Sequence, residues 1–110
     1  MIIWNELAEN ELKLAYNWYE SKRYGLGDAL ILCIDAALAR LEKHPFIGTP
    51  ICDDVRRVLI KRYPYGIYHR VIKGDIVVIG FRHFRQESAD FIKIKKSAQQ
   101  GDAPETGSSK

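Results

Sequence analysis

The chain has 110 residues, 46% of them apolar and 28% charged, with a net charge of +3 at pH 7. That length supports one small domain, able to bury roughly two-thirds of its unfolded surface in a single core without staples. No apolar run approaches the roughly 20 residues needed to cross a bilayer, and the opening Met1-Ile2-Ile3-Trp4-Asn5-Glu6 lacks the basic start and long apolar stretch of a signal peptide, so the expected location is cytoplasmic, with no membrane partner.

The modest net charge hides an asymmetry. Residues 1–55 carry nine acids against five Lys/Arg, whereas residues 56–110 carry twelve Lys/Arg against five acids. A basic second half points to an acidic or polyanionic partner; the plainer reading is a solvated strand face followed by a lysine-rich tail. Cys33 and Cys52 lack metal-ligand spacing and read as reduced, structural thiols.

Met1 to Trp4 is short and apolar and fits a brief first strand. Asn5 is a good helix N-cap, and Glu6 and Glu9 suit the positive end of the helix that follows to about Ser21. Ala8, Leu12, Ala15, Tyr16 and Tyr19 recur at helical spacing, while Trp18 lies off that stripe, so this helix is expected to bury more than one face. Ser21 to Gly27 is a connector. Leu26, Ala29, Leu30, Cys33, Ile34, Ala37, Leu38 and Leu41 then mark a second helix, with Ile31 and Leu32 widening its apolar face. Pro45 sets its limit near His44, because the residue before a proline disfavours the α region.

Pro45 to Asp54 reads as a loop, with Gly48 and Pro50 inside it. Val55–Tyr63 and Tyr65–Ile72 read as strands, and Lys73-Gly74-Asp75 as a tight turn into Ile76–His83. That last run is apolar on both faces until its end, the pattern of a central, most buried strand. The expected class is therefore α+β: a short N-terminal strand, then a two-helix hairpin packed on an antiparallel meander. A short basic helix over Ser88–Lys96 is a possible addition, and residues 97–110 have the composition of a disordered tail or vector-derived remnant.

The candidate functional residues sit on the meander. Arg56, Arg57, Lys61, Arg62, His69, Arg70, Arg82, His83 and Arg85 supply cations and ring nitrogens, and strand alternation puts Ile67, His69 and Val71 on one face and Tyr68, Arg70 and Ile72 on the other. Arg82-His83-Phe84-Arg85 closes the last strand, where cations could hold a phosphate and His83 could move a proton near neutral pH. No carboxylate pair, HExxH, CxxC or Walker loop is present, so no metal or cofactor is expected.

Taken in order, these residues resemble the RelE/ParE superfamily of toxins from type II toxin–antitoxin modules, over residues 1–96 as one domain. The resemblance rests on Trp18-Tyr19, Gly25-Leu26, Pro45, Arg57, the stretch Arg62-Tyr63-Pro64-Tyr65-x-Ile67-Tyr68, and Ile79-x-Phe81-x-His83-x-Arg85. It implies a plasmid-stabilisation-like toxin neutralised by a cognate antitoxin, meeting operator DNA only through that antitoxin. The Trp-Tyr pair and the Arg-x-Pro-Tyr stretch look ParE-like, which implies DNA gyrase as target, with Arg57, Tyr65 and Arg85 as residues for contacting target or antitoxin. The RelE-like alternative is ribosome-dependent cleavage of mRNA, with His83, Arg82 and Arg62 as its catalytic set. Phe84 stands where that branch often has a catalytic tyrosine, and it has no hydroxyl to transfer a proton. A third alternative is a degenerate toxin that only binds its antitoxin and helps repress their operon.

Overall fold

The computed structural model describes residues 1–83. In chain order these form β1 (Ile2–Trp4), α1 (Glu6–Lys22), α2 (Leu26–Lys43), β2 (Thr49–Cys52), β3 (Val55–Leu59), β4 (Tyr65–Ile72) and β5 (Asp75–His83). The strands make one sheet in the order β1-β5-β4-β3-β2. The expected α+β arrangement is present; the Ser88–Lys96 helix and the 97–110 tail fall outside the described residues.

α1 starts where its cap chemistry dictates. Asn5 holds an extended backbone and its Oδ1 accepts from the Ala8 N–H at 2.8 Å, satisfying one of the helix's unpaired donors. α2 has no side-chain cap of its own: Gly25 stands at its N-cap in the left-handed region, φ 90°. Glu20 of α1 does that job instead, accepting from Gly25 N–H at 3.0 Å and Gly27 N–H at 2.9 Å. A carboxylate here also suits the positive end of the α2 dipole. Tyr16 donates to Asp28 at 2.9 Å, a second tie between the helices. The α2 axis ends as the sequence requires, with His44 at the C-cap just before Pro45.

The helices bury Ala8, Ala15, Leu30, Ile34, Ala37 and Leu41 against Val58, Ile60, Ile67, Ile76, Val78 and Phe81 of the sheet side. Each large side chain so enclosed contributes roughly 1.5–3 kcal/mol. Leu38 is only half-buried and Leu41 completes the inward stripe in its place, while Leu32, expected to widen the apolar face, is 71% exposed.

Three features of the sheet depart from the sequence reading, and a fourth is one on which it was silent. The Pro45–Asp54 loop contains β2, which pairs antiparallel with β3 from Thr49↔Arg57 to Cys52↔Val55. Pro50 disguised it, yet proline is tolerated on an edge strand, where no neighbour needs its missing N–H. β3 stops at Leu59 rather than Tyr63, because Arg62 takes a left-handed conformation (φ 72°) and Ile60 N–H turns back to the Tyr65 carbonyl. β4, not β5, is the middle strand, although β5 carries more buried residues. Finally, β1 runs parallel to β5, Ile2↔Ile76 to Trp4↔Val78, making the sheet mixed.

β5 also carries a bulge. Tyr68 faces Gly80 and His69 faces Val78, so Ile79 is the extra residue. It returns Phe81 to the helix side with Val78, while Ile79 joins Val55 and Tyr68 in a small cluster on the other face.

Candidate functional site

The stretch from Tyr63 to Tyr68 leaves its turn as the start of β4, and its odd-numbered members face the helices. Tyr65 stacks on Phe81 (centroids 4.9 Å apart, planes 12° apart) and meets His83 edge-on at 5.3 Å. Tyr19 of α1 closes against Tyr63 at 5.0 Å and Tyr65 at 6.1 Å, and Trp18 stands edge-on to Tyr19 at 4.9 Å. The result is a continuous wall of rings from the β5 end to α1. Burial raises the phenol pKa of Tyr65; it also raises that of Tyr19, with the Tyr65 and Tyr63 hydroxyls adding to the effect. Tyr63 donates from its hydroxyl to the Leu26 carbonyl at 3.4 Å, tying this wall to the start of α2. Tyr68, on the other face, is fully enclosed.

Among the described residues, the candidate cations Arg57, Arg62 and Arg82 are spread over β3, the β3–β4 turn and β5. Arg57 lies on β3 with its aliphatic stem across Gly66: a Cβ added at Gly66 would stand 2.8 Å from Arg57 Cγ and 3.0 Å from Cδ. Glycine is what lets this arginine lie flat on the sheet. Arg62 is exposed in the β3–β4 turn. Arg82 is 5% exposed and ion-paired through Nε to Glu11, itself 17% exposed. Tyr65 and His83 do sit together as register partners. Arg85 lies outside the described residues.

Glu11 is the residue the sequence reading missed. β1 covers β5 only as far as Val78, where Asn5 N–H bonds the Val78 carbonyl and the chain turns into α1. Beyond that point the β5 edge would be bare, but Glu11 Oε1 accepts from Phe81 N–H at 2.9 Å and Oε2 pairs with Arg82. One carboxylate takes the place of the next strand. Nothing in local sequence marks it, because its partners are seventy residues away.

A second missed feature was legible. Leu7, Leu14 and Trp18 share one stripe of α1 at i, i+7, i+11 and are 38%, 70% and 55% exposed. Trp18 therefore does not serve a second buried face; it lies on the surface with Lys22 Nζ 4.8 Å above its ring. Tyr24 at the hairpin tip is 92% exposed. Among the described residues no cluster of His, Cys, Asp or Glu could hold a metal, and no helix is long and apolar enough to cross a membrane.

The fold and surface thus define a small α+β domain with a helical hairpin on a mixed sheet and an exposed apolar stripe on its first helix. Residues 2–88 match the family model for the ParE toxin of type II toxin–antitoxin systems, parDE, and the chain belongs to that family. Among solved structures it is similar to a chain of the chromosomal ParDE TA system from P. aeruginosa, with a TM-score of 0.67 at 19% identity, covering 74% of this chain and 92% of that one. No curated protein sequence matches.

Proposed function

We propose that this ParE-family chain acts on DNA gyrase and is held inactive by a cognate antitoxin seated on the α1 stripe. The observation that carries the antitoxin half is the row Leu7, Leu14, Trp18, exposed on a helix whose Ala8, Leu12, Ala15 and Tyr19 face the core. Soluble domains leave such aligned apolar side chains bare where a partner covers them. Lys22 and Arg23 at the end of the row favour a segment bearing carboxylates.

The gyrase half rests on the ParE resemblance and on the state of the alternative machinery. A ribosome-dependent nuclease needs cations free to hold a reacting phosphate. Arg82 is instead enclosed against Glu11, Arg57 lies across Gly66 on β3, and residue 84 is Phe. His83 is the group through which a nuclease would have to work, edge-on to Tyr65.

The test is to give purified protein to gyrase and, separately, to programmed ribosomes. Inhibited supercoiling or trapped cleaved DNA with intact mRNA supports the proposal. Codon-specific mRNA cuts lost in His83→Gln would replace it with the nuclease reading. Inertness of folded protein in both assays, with antitoxin binding retained, would leave a co-repressor.

A further inference from the structure

His69 is completely enclosed. β4 sets it opposite Arg56 of β3 and Val78 of β5, and its Nε2 lies 3.1 Å from the Pro45 carbonyl oxygen. A carbonyl can only accept, so the neutral ring carries its hydrogen on Nε2 and leaves Nδ1 as a lone pair. Nδ1 is buried and makes no hydrogen bond of good geometry. The corner that His69 grips is the passage from α2 into the edge strand β2. Arg56 grips the same corner through the Gly48 carbonyl at 3.2 Å. Gly48 is packed so closely, φ 106° with Arg57 O 2.7 Å from where a Cβ would be, that the corner has one fitted arrangement.

We propose that His69 makes this sheet edge acid-sensitive: its Nε2–H fastens the Pro45–Gly48 corner, and once the ring takes up a second proton, the cost of enclosing that cation near Arg56 is relieved by releasing the corner together with β2, which opens the ring to water. The second proton has to enter at Nδ1, inside the protein and beside the Arg56 guanidinium. The groups around the ring favour release. β5 offers uncharged Val78 and β3 offers cationic Arg56, while His44, next to Pro45 in sequence, is exposed. Burial is the main cause holding the ring below the usual histidine range, Arg56 acts in the same direction, and the Pro45 and Ile67 backbone groups offset only part of it. β2 is the element to yield because it is a four-residue edge strand with a register shift in its one ladder.

Amide exchange of the full chain across pH 7.5 to 5, corrected for intrinsic exchange chemistry, tests this. Protection of Ile47, Thr49 and Ile51 should fall as pH drops below about 6.5, by up to tenfold per pH unit, the limit for one proton, while β4–β5 amides hold. His69→Gln keeps an N–H for Pro45 and cannot titrate, so its corner should show no such dependence; His44→Gln should behave as the unaltered protein. Protection independent of pH, or the same dependence in His69→Gln, overturns the proposal. If His69→Gln does not fold, the ring titration of the unaltered protein decides. An ordinary histidine midpoint, with no accompanying change at Ile47–Cys52, is equally fatal.

Discussion

Replacing Glu11 by Gln should destabilise the fold far more than a residue of an exposed helix turn would. The amide keeps an oxygen for the Phe81 N–H, now 2.9 Å away, but turns an NH2 donor toward the enclosed Arg82 guanidinium in place of a carboxylate oxygen. Removing one member of a buried pair costs about 3–5 kcal/mol. Glu11 retains 17% exposure, so water screens part of the loss and about 2–3 kcal/mol is expected. Glu11→Ala also deprives Phe81 N–H of its acceptor, which adds about 1 kcal/mol. Against a total of about 5–15 kcal/mol for a domain this size, either change is readily measured by urea unfolding followed by circular dichroism. The decisive arm is a double-mutant cycle. With Arg82→Met no cation is left stranded, so Glu11→Gln should then cost little. An equal cost in both backgrounds, or a single-mutant cost below about 0.5 kcal/mol, would refute the claim that this carboxylate stands in for a strand.

Other outcomes follow from named contacts. Gly27→Ala gains helix propensity, yet its Cβ would meet the Tyr16 ring at 2.8 Å and Glu20 Oε1 at 2.9 Å, so it should lose about 1–3 kcal/mol in thermal or urea unfolding. Leu30→Ala empties a fully enclosed site and should cost about 2–5 kcal/mol. Leu14→Glu changes a side chain that is 70% exposed; it should shift stability by less than about 0.5 kcal/mol while weakening antitoxin binding in titration calorimetry. The depressed pKa of His69 contributes stability present above its unfolded value of 6.5 and lost as pH falls through the folded value, at no more than about 1.4 kcal/mol per pH unit. Urea midpoints across that range should flatten in His69→Gln.

The helices were legible because their information is local: Asn5 as cap, Pro45 as stop, and apolar spacing between them. The β3–β4–β5 meander was legible from its turns. What escaped depends on distant partners. β2 reads as a loop until β3 lies beside it, and then Pro50 is harmless on the outer edge. Trp18 was visible as off the buried stripe, but only the packed α1 shows that it joins Leu7 and Leu14 at the surface. For the candidate site, alternation correctly set His69 and Arg70 on opposite faces, as their bonds to Pro45 and Asp54 require. It could not show Arg82 committed to Glu11, since a charge pattern along the chain does not say which cations are already neutralised.

The parallel pairing of β1 with β5 has a consequence for how the protein is made. Ile2 is translated well before its strand partner Ile76, which belongs to the last strand among the described residues. At about 5–20 residues per second, roughly 4–15 s of translation separate the two. Throughout that interval the apolar Ile2-Ile3-Trp4 segment has no ladder to join, and once Lys43 has been added the α1–α2 hairpin, stapled by Glu20 and Tyr16, is complete in sequence. Closing a loop this long is entropically slow compared with forming the hairpin. The nascent chain therefore passes through a stage with a finished helical hairpin and an unclaimed sticky N-terminus, which is the stage at which chaperones or a co-translated partner would meet it.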